Sequence, residues 1–334
     1  MPLSLGQTFY VATNGNDSSP GTIDQPWRTV QKALNVLLPG QRALVRAGTY
    51  AQNHRWDRHG TAAEPVTLAA YPGERPVLRP GGGFPIEISG SYFRLQGFVI
   101  ENALGTSGAN VYPTGPAHHI EISNNEIRFS QDQGIYSDSS THHLHILDNL
   151  VHDNGLGHVP GQHQSHGLYI EGDNDLIANN VVYDHPFGFG MQIYPSNQDS
   201  IVVSNTVVAS GYSGIVLGGG SVTRITVRNN VFAFNDQWGI GRDASCPTAT
   251  VADTNVLFGN GFGDVQGGCG GLDTSRGNRT TNPMFVNLAQ RNLHLGAGSS
   301  AFDYAWASWS PWWDFDGEGR PQGAAADVGA YEDG

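Results

Sequence analysis

An asparagine returns at nearly fixed intervals through the middle of this chain, and that period limits the possible folds more than any other feature. The segments IEISNNEI, HILDNLV, LIANNVV, VVSNTVV, TVRNNVF and VADTNVL align on Asn125, Asn149, Asn180, Asn205, Asn230 and Asn255. Successive spacings are 24, 31, 25, 25 and 25. An earlier, degenerate turn, FRLQGFVI, puts Gly97 in the same register one period before Asn125. A second register falls between the asparagines: GANVY, GIYSD, GLYIE, GMQIY, GIVLG and GIGRD begin at Gly108, Gly134, Gly167, Gly190, Gly214 and Gly239. Each period therefore holds about three β-branched runs of roughly 3–5 residues, punctuated by Gly, Asn, Asp and Ser and too short for helices. Stacked periods must pair strand on strand, in parallel, at ~4.8 Å per coil. The expected fold is all-β: a single-stranded right-handed parallel β-helix, a solenoid. An asparagine at one place in every coil suits it, because the amide can bond its equivalents above and below and tolerates the left-handed conformation of a tight corner.

These coils resemble those of the pectate-lyase-like superfamily of carbohydrate-active β-helices, in which an asparagine ladder fills the turn between the second and third sheets. FYVATNGNDSSPGTIDQPWRTVQKAL resembles the N-terminal segment common in secreted β-helix proteins of this kind, and DFDGEGRPQGAAADVGAYE resembles their C-terminal tail. The resemblance spans nearly the whole chain and implies the fold and action on carbohydrate more sharply than it implies a reaction. Residues 1–334 are read as one β-helix domain, with an N-terminal cap and first coils over 1–80, regular coils over 81–270, and last coils with a C-terminal cap over 271–334.

Both ends of a β-helix expose unpaired edge groups and an open core, so each needs a cover. Residues 29–38 (TVQKALNVLL) carry Val30, Ala33, Leu34, Leu37 and Leu38 at helical spacing behind Pro26–Trp27, and read as a short amphipathic helix plugging the N-terminal end. Trp306, Trp309, Trp312 and Trp313 crowd together near the other end, as an irregular Trp-rich cap or a sugar-stacking platform. DFDGE at 314–318 lacks the downstream glutamate of a calcium loop and reads as a turn.

Charge excludes some functions. Thirty acidic residues against 17 basic ones give −13, with a single lysine, Lys32, so the chain lacks the basic stripe of a nucleic-acid binder. No apolar run reaches the ~18–20 residues that span a bilayer. Residues 1–6 lack the basic start and apolar stretch of a signal peptide. A secreted, extracellular location, implied by the resemblance, would then require a leader already removed. A monomer acting on a polysaccharide is expected, with no nucleic-acid or membrane partner.

Alternation along the Gly-started strands sends Ala109, Val111, Ile135, Leu168, Ile170, Met191, Ile193, Ile215, Leu217 and Ile240 into the core. Outward residues then form two columns: Asn110, Tyr136, Tyr169, Gln192, Val216, and Tyr112, Asp138, Glu171, Tyr194, Gly218, Asp243. In the resembled superfamily this sheet lines the substrate groove. Aromatic faces stack on sugar rings, while amides and carboxylates bond hydroxyls. The long coil, between Asn149 and Asn180, carries its extra residues in GLGHVPGQHQSHG, just before Tyr169 and Glu171, and eight of the 13 histidines lie between His142 and His185. Loops interrupting a regular scaffold often carry function. His166, directly before Gly167, is placed at the groove's lip, and His163 beside it.

Three functional readings follow. In a lyase acting on a uronate polymer by β-elimination, His166 is the base and Tyr169 the acid, while Asp138 and Glu171, ~5 Å apart on adjacent coils, hold calcium against the substrate carboxylate. Many members of the resembled superfamily use Lys or Arg as base; here Lys32 lies in the N-terminal plug and parity points Arg242 inward. A C5-epimerase shares this chemistry. In a glycoside hydrolase, Asp138 and Glu171 are the paired acid and nucleophile or base. The third reading is a non-catalytic glycan-binding β-helix. No zinc motif is present, and His142, His143 and His145, on alternating faces, are not expected to meet one ion. Cys246 and Cys269, separated by close to one coil of sequence, are expected to form a disulfide.

Overall fold

The computed structural model describes residues 6–104, 108–157, 164–243, 245–268 and 272–333. Three parallel sheets run along it: sheet A with 11 strands, from Thr8–Val11 to Leu272–Asp273, and sheets B and C with nine each, counted among the described residues. Every third strand pairs in register, as Ile122 with Ile146, Ile146 with Ile177, and Ile177 with Val202. The chain is one β-solenoid whose coils each pass through C, A and B in turn. Its core is a continuous column of aliphatic side chains that includes Val111, Ile135, Leu168, Met191, Ile215 and Ile240. All ten residues assigned inward on sheet C are buried.

The asparagines form one column at the corner between sheets A and B. Asn205 shows the pattern. Its Oδ1 accepts the backbone N–H and the amide N–H of Asn180, both at 2.9 Å. Its own N and Nδ2 donate to Asn230 Oδ1, and Nδ2 also reaches the Ile177 carbonyl one coil below. The column extends one coil beyond the sequence pattern, to Asn278. At its start the register partner is Phe98, whose N–H meets Asn125 Oδ1, and not Gly97. The left-handed turn is made by the preceding residue: Asn124, Asp148, Asn179, Ser204, Asn229 and Thr254 have φ of 54–57°. The ladder asparagine must aim its amide along the solenoid axis, so the corner bends one residue earlier. A second buried polar column lies at the B-to-C corner, where Ser130 N–H donates to Asn154, Ser210 N–H to Asn235, and Asn235 N–H to Asn260.

The N-terminal helix is Val30–Val36, capped by the Thr29 hydroxyl on Lys32 N–H, with Asp17 accepting from the N–H groups of Arg28 and Thr29. Val30, Ala33, Leu34 and Leu37 join the core, whereas Leu38, expected on the same stripe, is exposed because the chain has turned extended at Leu37. The Trp-rich C-terminal segment is irregular, but its place differs from a simple end cap: it doubles back over the outer face of sheet B. Val328, Ala330 and Tyr331 pack on Val181, Val208, Val231 and Val256. Ala330 N–H donates to Thr206 Oγ1, and Arg291 pairs with Asp184. With both faces covered, sheet B strands there read as unbroken apolar runs (VFA, VLF) rather than alternating ones. Trp306 lies between the guanidinium groups of Arg228 and Arg276, while Trp312 and Trp313 stay exposed.

Asn205→Ala leaves two donors of Asn180 without an acceptor in a dry corner, and is expected to cost about 3 kcal/mol or more in denaturant unfolding. Thr226→Ala, on the half-buried outer side of sheet A, should stay within about 0.5 kcal/mol of wild type.

Candidate active site

Register decides which side chains on sheet C are neighbours. Tyr136 pairs with Tyr169, and Tyr169 with Gln192 and then Val216. Below Tyr136 stands Tyr112, because Val111 pairs with Ile135. The result is an aromatic stack: Tyr112 and Tyr136 lie 5.1 Å apart at 7°, and Tyr136 and Tyr169 5.1 Å apart at 30°. Two expected neighbours change. Asn110 is not in the outward column; it is fully buried, accepting from Ala103 N–H and donating to the Arg128 carbonyl and to Asn154. Tyr112 moves into the first column, and Thr114 takes its place beneath Asp138. The strands at Gly108 and Gly134 pair out of the step suggested by their glycines, since a corner of different length precedes each.

Asp138 and Glu171 do stand on adjacent coils, with Glu171 N–H donating to the Ser137 carbonyl. Asp138 is consumed by its corner. Oδ1 accepts from Ser140 N–H and Oγ, and Oδ2 from Thr114 Oγ1 and Gly115 N–H. These bonds hold its pKa below the ordinary carboxylate value against the opposing effect of burial. Glu171 accepts the hydroxyls of Tyr136 and Tyr169 and the N–H of Ser139; burial, then the nearby Asp138 charge, raises its pKa. Four donors fill both Asp138 oxygens, so the pair does not fit calcium, which needs free oxygen ligands. Burial beside Glu171 also pushes the Tyr136 and Tyr169 phenols upward, keeping both protonated.

Above this pair the sheet opens into a groove of about 540 Å³ bounded by Tyr169, Gln192, Tyr194 and Val216 on the floor, His166, Phe189 and Asp132 on one wall, and Arg242 and Asp243 at the end. His166 is buried at the lip. Its N–H donates to Gln133 Oε1, its ring stacks on Phe189 at 5.0 Å, and its Nδ1 accepts the Phe189 N–H at 3.0 Å. A backbone N–H can only donate, so the neutral imidazole carries its proton on Nε2. Asp132 is 6% exposed, and burial raises its pKa to about 7 despite Oδ1 accepting from Ser165 Oγ and Gln133 Nε2. Arg242 reverses the parity argument. Although it pairs with the inward Leu217, it closes its strand, where alternation lapses, and its side chain lines the groove. A guanidinium in the apolar column would cost several kcal/mol. Its Nε donates to the Gly267 carbonyl, and among the described residues it has no carboxylate within ion-pair distance.

The structure thus gathers His166, Tyr169, Gln192 and Tyr194 in the groove, sets Tyr112, Tyr136, Glu171 and Asp138 along the coils below it, and removes Asn110 to the interior. His163 lies outside the described residues, as does Cys269; Cys246 is disulfide-bonded. Sequence reasoning misses Asp132 and Arg242. A signal for Asp132 exists: Ser165 and His166 sit one coil above Asp132 and Gln133, so the reasoning that places His166 at the lip applies there too. A second hollow, of about 620 Å³, lies beside the helix, but its charged Asp17 serves the helix start.

Comparison with known proteins agrees with this architecture. Residues 86–282 match the family described as right handed beta helix region, and residues 9–155 match the Pel9A-like right handed beta helix region. The chain is 26% identical over 348 residues to the uncharacterized protein YwoF of Bacillus subtilis (strain 168), covering 86% of this chain and 69% of that protein. A stretch of 79 residues, 23% of this chain and 19% of the other, is 35% identical to pectate lyase PEL9 of Emericella nidulans. The solved structure of pectate lyase Pel9A superposes with a TM-score of 0.74 at 16% identity, over 100% of this chain and 98% of that one. The parallel coils, the asparagine column and the matched residues together establish that this chain belongs to the right-handed β-helix family, with a Pel9A-like fold.

Proposed function

We propose that this protein is an extracellular polysaccharide lyase that cleaves a uronate-containing polymer by β-elimination in the sheet C groove. The observation carrying this reading is Arg242: a cation without a carboxylate partner among the described residues, facing a groove that also holds a carboxyl with a pKa near neutrality. An acidic polymer supplies the missing counter-charge, and the chain's fold is that of a pectate lyase. The disulfide at Cys246 suits an oxidising compartment.

β-Elimination requires the sugar carboxylate to be neutralised, the C5 proton to be removed, and the leaving oxygen to be protonated. Arg242 and the Gln192 amide bind the carboxylate and stabilise the charge that develops on it. Asp132, ionised above about pH 7, takes the C5 proton. The Tyr169 hydroxyl, which otherwise donates to Glu171, turns to give its proton to the glycosidic oxygen as the C4–O bond breaks and the C4–C5 double bond forms. His166 keeps its Nδ1 on Phe189 N–H and therefore positions the lip rather than acting as the base assigned from sequence. A hydrolase reading also draws on Asp132, as a proton donor opposite Asp243, while the Asp138/Glu171 pair is poorly suited to it because Asp138 is tied into its corner.

Incubation with polygalacturonate and alginate separates the readings. Ultraviolet absorbance of unsaturated ends is expected; new reducing ends without that absorbance would indicate hydrolysis, and neither product from any uronate polymer would sink the lyase reading. Arg242→Gln should lower kcat/KM by about 100-fold or more with little change in Tm, since removing one charge-stabilising donor typically costs that much. In wild type, kcat/KM should rise with pH and level off above about 7, and Asp132→Asn should abolish turnover.

Stability gives an independent check on Asp132. Its folded pKa of about 7 exceeds the ordinary 3.8. Below about pH 4 both states are protonated and there is no penalty. As pH rises to about 7 the unfolded chain ionises first, so the folded state loses stability. The isosteric Asp132→Asn should therefore match wild type at about pH 4 and exceed it by roughly 2–4 kcal/mol at about pH 8. Equal stability at both pH values would show that the carboxyl is not desolvated.

A further inference from the structure

Two consecutive coils present a His–His pair at the same corner, between sheets C and A: His118–His119 and, one coil on, His142–His143. His118 and His142 bridge in register, so the pairs stack. The ring planes are nearly parallel, His118 on His142 at 4.9 Å and 5°, His119 on His143 at 4.7 Å and 6°, with Tyr92 beneath His119 at 4.7 Å. Alternation would send neighbours to opposite faces, but His119 and His143 have φ of 54° and 56°. That left-handed turn brings each back beside its predecessor. Within each pair the two Nδ1 atoms are 2.8 Å apart.

We propose that His119, His142 and His143 form a binding site for one divalent transition-metal ion of borderline softness, zinc being the representative. One ligand nitrogen from each lies within 4.8 Å of the other two. Nitrogens bound to a tetrahedral ion at ~2.0–2.1 Å stand ~3.4 Å apart, so small ring rotations complete the site. Three imidazoles and no carboxylate oxygen select zinc, nickel, copper or cobalt over calcium or magnesium. None of the three is committed to an ion pair among the described residues, and stacking has already ordered the rings. His118 buttresses His142 by stacking and meets His119 at Nδ1. His145, which sequence grouped with His142 and His143, is replaced in the triad by His119 from the coil below. Such an ion clips two coils together at a corner one sheet edge away from the groove, and the proposal does not rest on the lyase reading.

The test uses the full chain without an affinity tag. Zinc titration by calorimetry and cobalt(II) titration by visible absorption are expected to show one ion per chain, with cobalt bands of nitrogen ligation, and zinc should raise Tm. His119→Asn and His143→Asn, which tolerate the left-handed backbone, and His142→Gln should each weaken binding at least tenfold. His145→Asn should leave it unchanged. Because His119 and His143 are exposed and His142 is only half-buried, Tm without metal should stay close to wild type, which separates lost ligation from lost folding. No stoichiometric binding, or binding that survives all three triad changes, would overturn the site.

Discussion

Everything in this molecule rests on vertical registration of its coils, and the interaction that enforces it is the buried amide-to-amide bonding of the asparagine column. Within the column, as at Asn205, Oδ1 takes two donors from the coil below, and Nδ2 spans to the coil above and to a backbone carbonyl. A coil that slipped by one residue would leave these polar groups unpaired in a dry corner. Aliphatic packing alone would not impose that penalty, because one Val or Ile fills the column about as well as another. The long coil obeys the same rule: although 31 residues separate them, Asn180 still sits over Asn149.

Registration in turn places the chemistry. Tyrosines a full coil apart in sequence become stacked rings, and the corner residues of two coils bring Asp132 and His166 to one wall. Two carboxylates that flank opposite ends of the strand Gln133–Ser137 meet opposite fates for local reasons. Asp138 has four donors, from its own corner and from the coil beneath, and stays easily ionised, whereas Asp132 is desolvated with few donors and resists ionisation. A regular scaffold can thus carry a near-neutral titrating group without any irregularity in its strands.

The period, the parallel coils, the core positions of sheet C, the helix at the N-terminus and the Tyr136–Tyr169 and Asp138–Glu171 juxtapositions were legible in sequence, because stacking at a fixed period turns sequence distance into spatial adjacency. Asn110, Arg242 and the histidine corner were not. Each sits at or next to a corner, where the two-residue alternation on which face assignments depend is interrupted, at the histidine corner by the left-handed His119 and His143.

Sequence by itself determined that this chain winds into a solenoid with a polar column and an aromatic face, since stacked coils bury the short β-branched runs while pairing the asparagine that recurs from Asn125 onward. Only the tertiary structure decided how many donors each carboxylate receives, where the Arg242 guanidinium emerges, which imidazoles meet, and that the C-terminal segment covers sheet B. Those outcomes depend on corner geometry and on contacts between residues about one coil or, as with Arg291 and Asp184, 107 positions apart. No local pattern encodes them.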